Sequence, residues 1–146
     1  LIIGLIATRP MKDRCFIDTN LLVYAISTDA DKANRIELLF REPFDFFIST
    51  QVINEFVHTC YRKNLLSANE IRSVVEDFLS FFNLIVIQES TILLALGLKD
   101  QYNFSWYDGL IVAAALENDC LHLFSEDMQH GLLVEKNLTI KNPFVL

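Results

Sequence analysis

Glycine and proline are scarce in this chain, with four glycines and three prolines in 146 residues. Collagen-like repeats, flexible linkers and low-complexity tracts need far more of these residues, and no internal repeat is visible. Hydrophobic residues make up 52% of the chain and charged residues 21%, which excludes intrinsic disorder. The length suits one compact domain with a single core.

Long apolar runs are also missing, and none approaches the ~20 residues that a membrane-spanning helix needs. The opening LIIGLIA is apolar, but no basic segment precedes it, so a signal peptide is not expected. Met11 is a candidate natural start. Residues 1–10 would then be an N-terminal extension of uncertain native status, and residues 11–146 the single domain. A cytoplasmic protein with no membrane partner is the expectation.

Cysteine occurs only three times and never as a CxxC pair. Cys15, Cys60 and Cys120 are widely spaced in apolar surroundings, which is typical of reduced core residues in a cytosolic protein. The three histidines show no HxxxH spacing. A zinc site is therefore not expected.

Basic residues are outnumbered, since 12 lysines and arginines face 19 acidic residues and give a net charge of −7. Such a chain does not bind nucleic acid by charge attraction alone. This balance does not exclude a nucleic-acid enzyme, because bound cations reverse the sign of its site. The twelve phenylalanines indicate either a dense core or an apolar surface for a partner, and composition does not separate the two.

Short apolar segments alternate with helical patterns along the chain. The segments predicted as strands are 14–17, 45–48, 84–87, 121–124 and, less clearly, 138–141. Apolar spacing and capping residues predict helices over 20–27, 32–40, a stretch containing 53–60, 67–81, 89–101 and 106–118. Short apolar strands separated by helices indicate a parallel sheet with helices on both faces.

Carboxylates stand at four places where strands end or neighbouring helices begin. Asp18 follows the first strand, and Glu55 lies in the first turns of the helix after the second strand. Asp108 lies in the first turn of the helix before the fourth strand, and Glu126 and Asp127 follow that strand. Functional groups of open α/β sheets gather at the carboxyl ends of the strands. One carboxylate from each place is therefore expected at the same edge of the sheet.

Each of these acids also has an ordinary structural role available to it. Asp108 with Ser105 fits an N-terminal capping box, and Asp18 can cap the helix that follows it. Glu55 fits a solvated helix residue, and Asp127 fits a turn. However, Asp108 heads the apolar stripe of its helix, where a carboxylate is costly unless it is paired, hydrogen-bonded or bound to metal. The joint placement favours a cation site, because like charges repel unless a cation gathers them.

Oxygen ligands without paired histidine or cysteine favour Mg²⁺ or Mn²⁺. Such ions lower the pKa of a bound water and neutralise charge that develops on a phosphoryl group. Two ions about 3.5–4 Å apart can hold the attacking and leaving oxygens of an in-line displacement. One or two ions at this edge would fit phosphodiester hydrolysis. Without metal, repulsion among the acids should raise at least one of their pKa values.

Four segments, FIDTNLLVYA, NEF, SWYDGLIVAAAL and LFSEDMQHG, occur in this order. Together they resemble the PIN-domain ribonucleases, most closely the toxins of VapBC-type toxin–antitoxin pairs. The resemblance spans nearly the whole chain after Met11, and the combination of motifs is highly specific. It implies a Rossmann-like α/β/α sandwich with a short central parallel sheet. It also implies a Mg²⁺- or Mn²⁺-dependent endoribonuclease that cuts single-stranded or looped RNA.

The resemblance also assigns residues. The family's four acidic positions, expected to hold the metal and carry catalysis, fall on Asp18, Glu55, Asp108 and Asp127. Thr19 and Asn20 match the small polar pair after the first acid, and Ser105 matches the Ser or Thr before the third. These three are expected to orient carboxylates or bound water behind the ligands. Glu126 is an outer candidate only.

The partners implied by the resemblance are an RNA substrate, a cognate antitoxin and a second copy of the chain in a homodimer. One alternative is a PIN-like scaffold that binds RNA or a partner without cutting. Another is the receiver domain of two-component signalling, which also uses strand-end acids and Mg²⁺. That domain needs adjacent acids after the first strand, whereas Thr19 follows Asp18 here, so it is the least favoured.

Overall fold

The computed structural model describes residues 11–145. The expectations for residues 1–10, an extension without a signal peptide, lie outside the described residues. Within the described part, no helix has the length and apolar character needed to cross a membrane.

The described residues contain six strands, which form one sheet. They are β1 (Arg14–Ile17), β2 (Asp45–Ser49), β3 (Asn83–Ile85), β4 (His122–Phe124), β5 (Leu133–Val134) and β6 (Leu138–Lys141). The order across the sheet is β3-β2-β1-β4-β6-β5. Neighbours pair in parallel except for β5, which runs antiparallel to β6. The predicted α/β fold is confirmed, with a sheet that is mostly rather than wholly parallel.

Within the same described part of the chain, six helices connect these strands. They are α1 (Thr19–Ala25), α2 (Ala30–Phe40), α3 (Thr50–Arg62), α4 (Ala68–Phe81), α5 (Glu89–Tyr102) and α6 (Trp106–Glu117). Three of them begin at predicted caps, where a serine oxygen accepts a backbone N–H of the first turn. These serines are Ser49, Ser67 and Ser105, and Ser67 forms the predicted capping box with Glu70.

The structure differs from the predictions at two edges of the sheet. β3 ends at Ile85, because the N–H of Ile87 is hydrogen-bonded to Thr50 Oγ1 at 3.2 Å and leaves the ladder. β5 was not predicted, since two residues are too short to show a period. Its turn into β6 places Glu135 and Lys136 at φ 51° and 61°, a conformation that sequences usually signal with Asn or Gly.

β1 lies at the centre of the core, between β2 and β4. Its residues Cys15, Phe16 and Ile17 are fully buried, as parallel strands covered on both faces are. The chain moves to one side of β1 for β2 and to the other side for β4. The strand order therefore reverses at β1, and the loops after β1 and β4 leave the sheet side by side. Ligands of open α/β sheets bind at this kind of switch point.

The phenylalanines serve mainly the core. Phe40, Phe46 and Phe82 pack against one another with ring centroids 5.3–6.5 Å apart, while Phe81 at the rim of this cluster is 53% exposed. Phe56 of α3 meets Phe78 of α4 edge-to-face at 5.0 Å. The three cysteines are buried and free, as predicted.

Two substitutions on α3 separate its buried face from its exposed face. Phe56 is fully buried, whereas Tyr61 is 56% exposed. Phe56→Ala should lower the free energy of unfolding by about 3–5 kcal/mol, because it leaves a cavity and removes the contact with Phe78. Tyr61→Ala should change it by less than about 0.5 kcal/mol. Urea unfolding followed by circular dichroism measures both, and equal losses would contradict this packing.

Candidate functional site

Asp18 is the most buried of the four predicted acids, with 5% of the residue exposed. It caps α1, and its Oδ1 accepts a 2.7 Å hydrogen bond from the N–H of Thr19. Its Oδ2 accepts a 2.8 Å hydrogen bond from the hydroxyl of Ser125, which follows β4. Ile17 and Phe124 are paired at the ends of the two strands, so the residues that follow them lie opposite each other. The switch in strand order thus places this carboxylate.

The pKa of Asp18 is raised from 3.8 to about 7. Burial is the largest cause, because it disfavours the charged form. The hydrogen bonds from Ser125 and Thr19 oppose the shift, and the charges of Asp108 and Glu55 add to it. The predicted rise in the pKa of one of the acids is therefore found, but desolvation contributes more to it than repulsion does.

Glu55 of α3 is held from two sides by neutral donors. The hydroxyl of Thr19 donates to its Oε2 at 2.8 Å, and the side-chain amide of Gln51 donates to its Oε1 at 2.6 Å. The same amide nitrogen also lies 3.2 Å from the carbonyl oxygen of Tyr107. Gln51 thereby connects the first turn of α3 to the first turn of α6. Its own Oε1 is enclosed and has no hydrogen-bond partner among the described residues.

Asp108 and Asp127 lie together on a smaller depression of about 240 Å³, which Ser105 also lines. The side chain of Asn20 donates a hydrogen bond to Asp127 Oδ2. Burial raises the pKa of Asp108, its hydrogen bond with Ser105 lowers it, and the charges of Asp127 and Glu55 raise it further. The third acid is thus electrostatically coupled to the second and the fourth.

The structure therefore brings all four predicted acids to the carboxyl end of the central strands. No lysine, arginine or histidine forms an ion pair with any of them within residues 11–145. Thr19, Asn20 and Ser105 each contact a predicted acid or cap its helix turn.

Close convergence of the carboxylate oxygens is not found. Among the described residues, no group of three or more His, Cys, Asp or Glu side chains is close enough to hold an ion. The four acids therefore do not form a ready ion site in this arrangement, and the prediction that they share one or two cations is not tested by it. Metal binding remains a prediction.

The chemistry of the side chains nevertheless fits a hard divalent cation. The available ligands are carboxylate oxygens, which Mg²⁺ and Mn²⁺ prefer. A buried carboxylate with other acids nearby and no cationic partner is unfavourable when ionised, and a divalent ion would compensate this charge. A raised pKa in such a setting is typical of a functional site.

Glu126 does not belong to this set of acids. Its carboxylate accepts a hydrogen bond from the hydroxyl of Tyr24 and forms a 3.4 Å ion pair with Lys32. The ammonium of Lys32 also lies 4.0 Å from the centre of the Tyr24 ring. Glu126 therefore ties the loop after β4 to α1 and α2, while its neighbour Asp127 faces the site.

Sequence reasoning missed two residues that support the site. Ser125 is fully buried and donates to Asp18. Its signal was available, because it is the first polar residue after β4, just as Asp18 is after β1. Gln51 lies one helical turn before Glu55, a spacing at which side chains meet, but its bond to Tyr107 could not be foreseen.

A larger cleft adjoins the acids on the side of Glu55. Its volume is about 700 Å³, and it lies between the first turn of α1, the length of α3 and the beginning of α6. Glu55 is the one predicted metal ligand among the described residues that line it. The acids therefore lie between two depressions, with Glu55 on one side and Asp108 and Asp127 on the other.

Comparison with known families decides the classification. The sequence profile described as PIN domain matches residues 15–131. The chain belongs to the PIN-domain family. This match spans all four acids. Membership supports a nuclease in general, without fixing the metal or the substrate. No curated protein matches the chain.

Solved structures share this PIN fold at low sequence identity. A toxin–antitoxin complex from Klebsiella pneumoniae aligns with a TM-score of 0.67 and 18% identity, over 90% of this chain and 99% of the other. VapBC2 from Rickettsia felis, bound to a DNA fragment from its promoter, aligns at 0.60 and 22%, over 88% and 98%. Mycobacterium tuberculosis VapC20, a sarcin–ricin loop cleaving toxin, aligns at 0.65 and 12%, over 77% and 91%. At these identities the likeness shows the fold.

The stability of this PIN domain should depend on pH through Asp18. Between pH 4 and 7 the folded protein keeps a proton that the unfolded chain has released, so the metal-free protein should lose stability as the pH rises through this range. Asp18→Asn removes this titration and keeps the hydrogen bonds, because an amide can donate to the hydroxyl of Ser125. At pH 8 without metal, the variant should be more stable by about 1–4 kcal/mol.

Urea unfolding at several pH values in EDTA measures this effect. Asp77→Asn is the matched control, because Asp77 is an exposed carboxylate within α4, and it should keep the pH dependence of the wild type. Adding Mg²⁺ at pH 8 should stabilise the wild type and not Asp18→Asn. Identical pH profiles for the wild type and Asp18→Asn would show that Asp18 is not the group that titrates.

Proposed function

We propose that this PIN domain is a divalent-metal-dependent endoribonuclease and the toxin of a toxin–antitoxin pair. The observation that carries the proposal is the group of four acids at the switch point, which have no cationic partner within residues 11–145 and include a buried Asp18. The family match supports a nuclease in general. The structural neighbours support the toxin role, because toxins in complex with antitoxins are among them.

The proposed cofactor is Mg²⁺ or Mn²⁺, held by Asp18, Glu55, Asp108 and Asp127. When bound, such an ion lowers the pKa of water and neutralises charge that develops on the phosphate. Thr19 and Gln51 fix the orientation of Glu55, Asn20 fixes Asp127, and Ser125 fixes Asp18. These neutral donors orient the carboxylates, as residues behind metal ligands do, and carry no positive charge that would compete with the metal ion.

RNA is proposed as the substrate, with water as the nucleophile. Attack by water leaves a 5′-phosphate and a 3′-hydroxyl, whereas attack by the neighbouring 2′-hydroxyl leaves a cyclic phosphate. The second route needs a pair of acid–base groups of the histidine type. Nε2 of His122 lies 3.7 Å from a carboxylate oxygen of Asp13, and His130 accepts a hydrogen bond from the N–H of Asn142. Both contacts favour structural roles for these two histidines.

Cleavage should therefore depend on metal and on the buried acid. Asp18→Asn and Asp108→Asn keep the side-chain shape and remove a charged ligand, so each should lower the rate of RNA cleavage at least 100-fold. Excess EDTA should abolish cleavage by the wild type, and Mn²⁺ should restore it. End-labelled RNA resolved on gels measures the rate and the product ends.

Three outcomes of this assay would contradict the proposal. They are full activity in EDTA, products with 2′,3′-cyclic phosphate ends, and wild-type rates for both asparagine variants. Asp77→Asn again serves as the matched control for removal of one surface charge. RNA binding without cleavage in Mn²⁺ would instead favour the scaffold alternative.

The proposed partners are a homodimer mate and an antitoxin. The net charge of −7 favours a basic antitoxin segment, such as an amphipathic helix that brings a basic side chain to the carboxylates. The exposed apolar face of α5 supports the dimer, because Leu93 and Leu96 are 62% and 50% exposed at a spacing of three residues. Patches of this kind mark protein interfaces.

Leu93→Glu should weaken the proposed dimer, because it places a charge within an apolar contact. Sedimentation at about 10–200 μM, a range suited to micromolar affinity, should show a dimer for the wild type and a shift toward monomer for the variant. Tyr61→Ala, an exposed substitution on α3, should leave the association unchanged. A wild-type protein that is monomeric throughout this range would contradict the dimer.

A further inference from the structure

The cleft beside Glu55 has the size and the position of a binding site in its own right. Its volume of about 700 Å³ falls within the range of small-molecule sites, about 300–1,000 Å³. Glu55 stands on its wall, so anything bound there lies next to the proposed cation. The cleft is therefore adjacent to the bond that would be cut, while most of its lining takes no part in holding metal.

The charge of the lining disfavours a phosphate as the occupant. Among the described residues, no lysine or arginine lines the cleft, and Glu55 contributes a negative charge. The negative charge of Glu55 disfavours a phosphate group, and none of the described lining residues is a lysine or arginine that would balance it, although the first turns of α1, α3 and α6 border the cleft. An uncharged part of a nucleic acid does not meet this repulsion.

The remaining side chains match the two properties of a nucleobase, a flat apolar face and a polar edge. Tyr107 at the beginning of α6 is 62% exposed, and Ile87 and Leu110 add apolar surface. Asn54 and His58 lie one turn apart on α3, and both are exposed. Neither side chain forms a hydrogen bond within residues 11–145, so both can pair with a ligand.

We propose that this cleft binds the base of an unpaired RNA nucleotide next to the scissile phosphate. The base stacks on Tyr107 and presents its edge to Asn54 and His58. Unpaired bases are recognised in this way, by stacking on aromatic rings and by hydrogen bonds to their edges. A base in a duplex is stacked between its neighbours and cannot enter, so the cleft selects single-stranded or looped RNA. The inference rests on the proposed ribonuclease activity.

Steady-state cleavage of a fluorescein-labelled single-stranded RNA tests the pocket. Tyr107→Ala should raise KM about tenfold or more, because base stacking contributes on the order of one or more factors of ten to binding. Tyr107→Phe keeps the ring and should stay within about twofold of the wild type. Tyr61→Ala removes an equally exposed tyrosine outside the cleft and should not change KM.

Substrates with one abasic nucleotide, scanned along the RNA, identify the base that enters the cleft. In the wild type, one position next to the cut should raise KM as Tyr107→Ala does. In Tyr107→Ala the same abasic position should raise KM little further, since the stacking partner is already gone. The substrate change and the protein change thus test one contact from both sides.

Failure of the pocket can be told apart from failure of the proposed activity. If the wild type binds RNA without cutting it, fluorescence anisotropy with the same RNAs and variants gives the dissociation constants in place of KM. Equal values for Tyr107→Ala and Tyr61→Ala would overturn the base pocket. So would an abasic substitution that raises KM, or the dissociation constant, equally in the wild type and in Tyr107→Ala. So would wild-type protein that neither cuts nor binds single-stranded RNA. Such results would leave the cleft as a groove for a protein partner.

Discussion

Burial of the Asp18 carboxylate at the reversal of strand order is the constraint on which the site depends. β1 is covered on both faces, and its end admits almost no water, so the carboxylate there is held by Thr19 and Ser125 and has a pKa of about 7. Ser125 can reach it only because β4 pairs with β1 and ends at the same level. The geometry of the sheet therefore sets the protonation of the acid.

In the part of the chain that the structure describes, neutral hydrogen-bond donors rather than cations contact the acids. Thr19, Asn20 and Gln51 contact Glu55 or Asp127, while the basic Lys32 of α2 is paired with Glu126 of the loop after β4. A lysine or arginine at the site would neutralise the acids and compete with a metal ion. Neutral donors orient the carboxylates and keep their negative charge available. The adjacent acids Glu126 and Asp127 differ in the same respect, because Glu126 pairs with the cationic Lys32 and Asp127 accepts a hydrogen bond from the neutral Asn20.

The acids lie between two depressions that differ in size and charge. The larger cleft joins α3 to the beginning of α6, and Glu55 is the one acidic residue among its described lining residues, whereas the smaller one holds Asp108 and Asp127. A single strand that crosses between them would place its phosphate at the acids and one base in the larger cleft. Gln51 links these parts, since one amide contacts both Glu55 and the backbone of Tyr107.

Local signals in the sequence determined the elements and the candidate acids. Short apolar runs indicated the parallel strands, serine caps located α3, α4 and α6, and carboxylates after strands indicated Asp18 and Asp127. The two-residue β5, the early end of β3 and the partners of Glu126 depended on contacts between distant segments. So did the spacing of the carboxylates, which among the described residues do not form a ready ion site. Hydrogen bonds between residues about a hundred positions apart, such as Ser125 to Asp18, exist only after the sheet has formed, and for this reason the tertiary structure alone decided them.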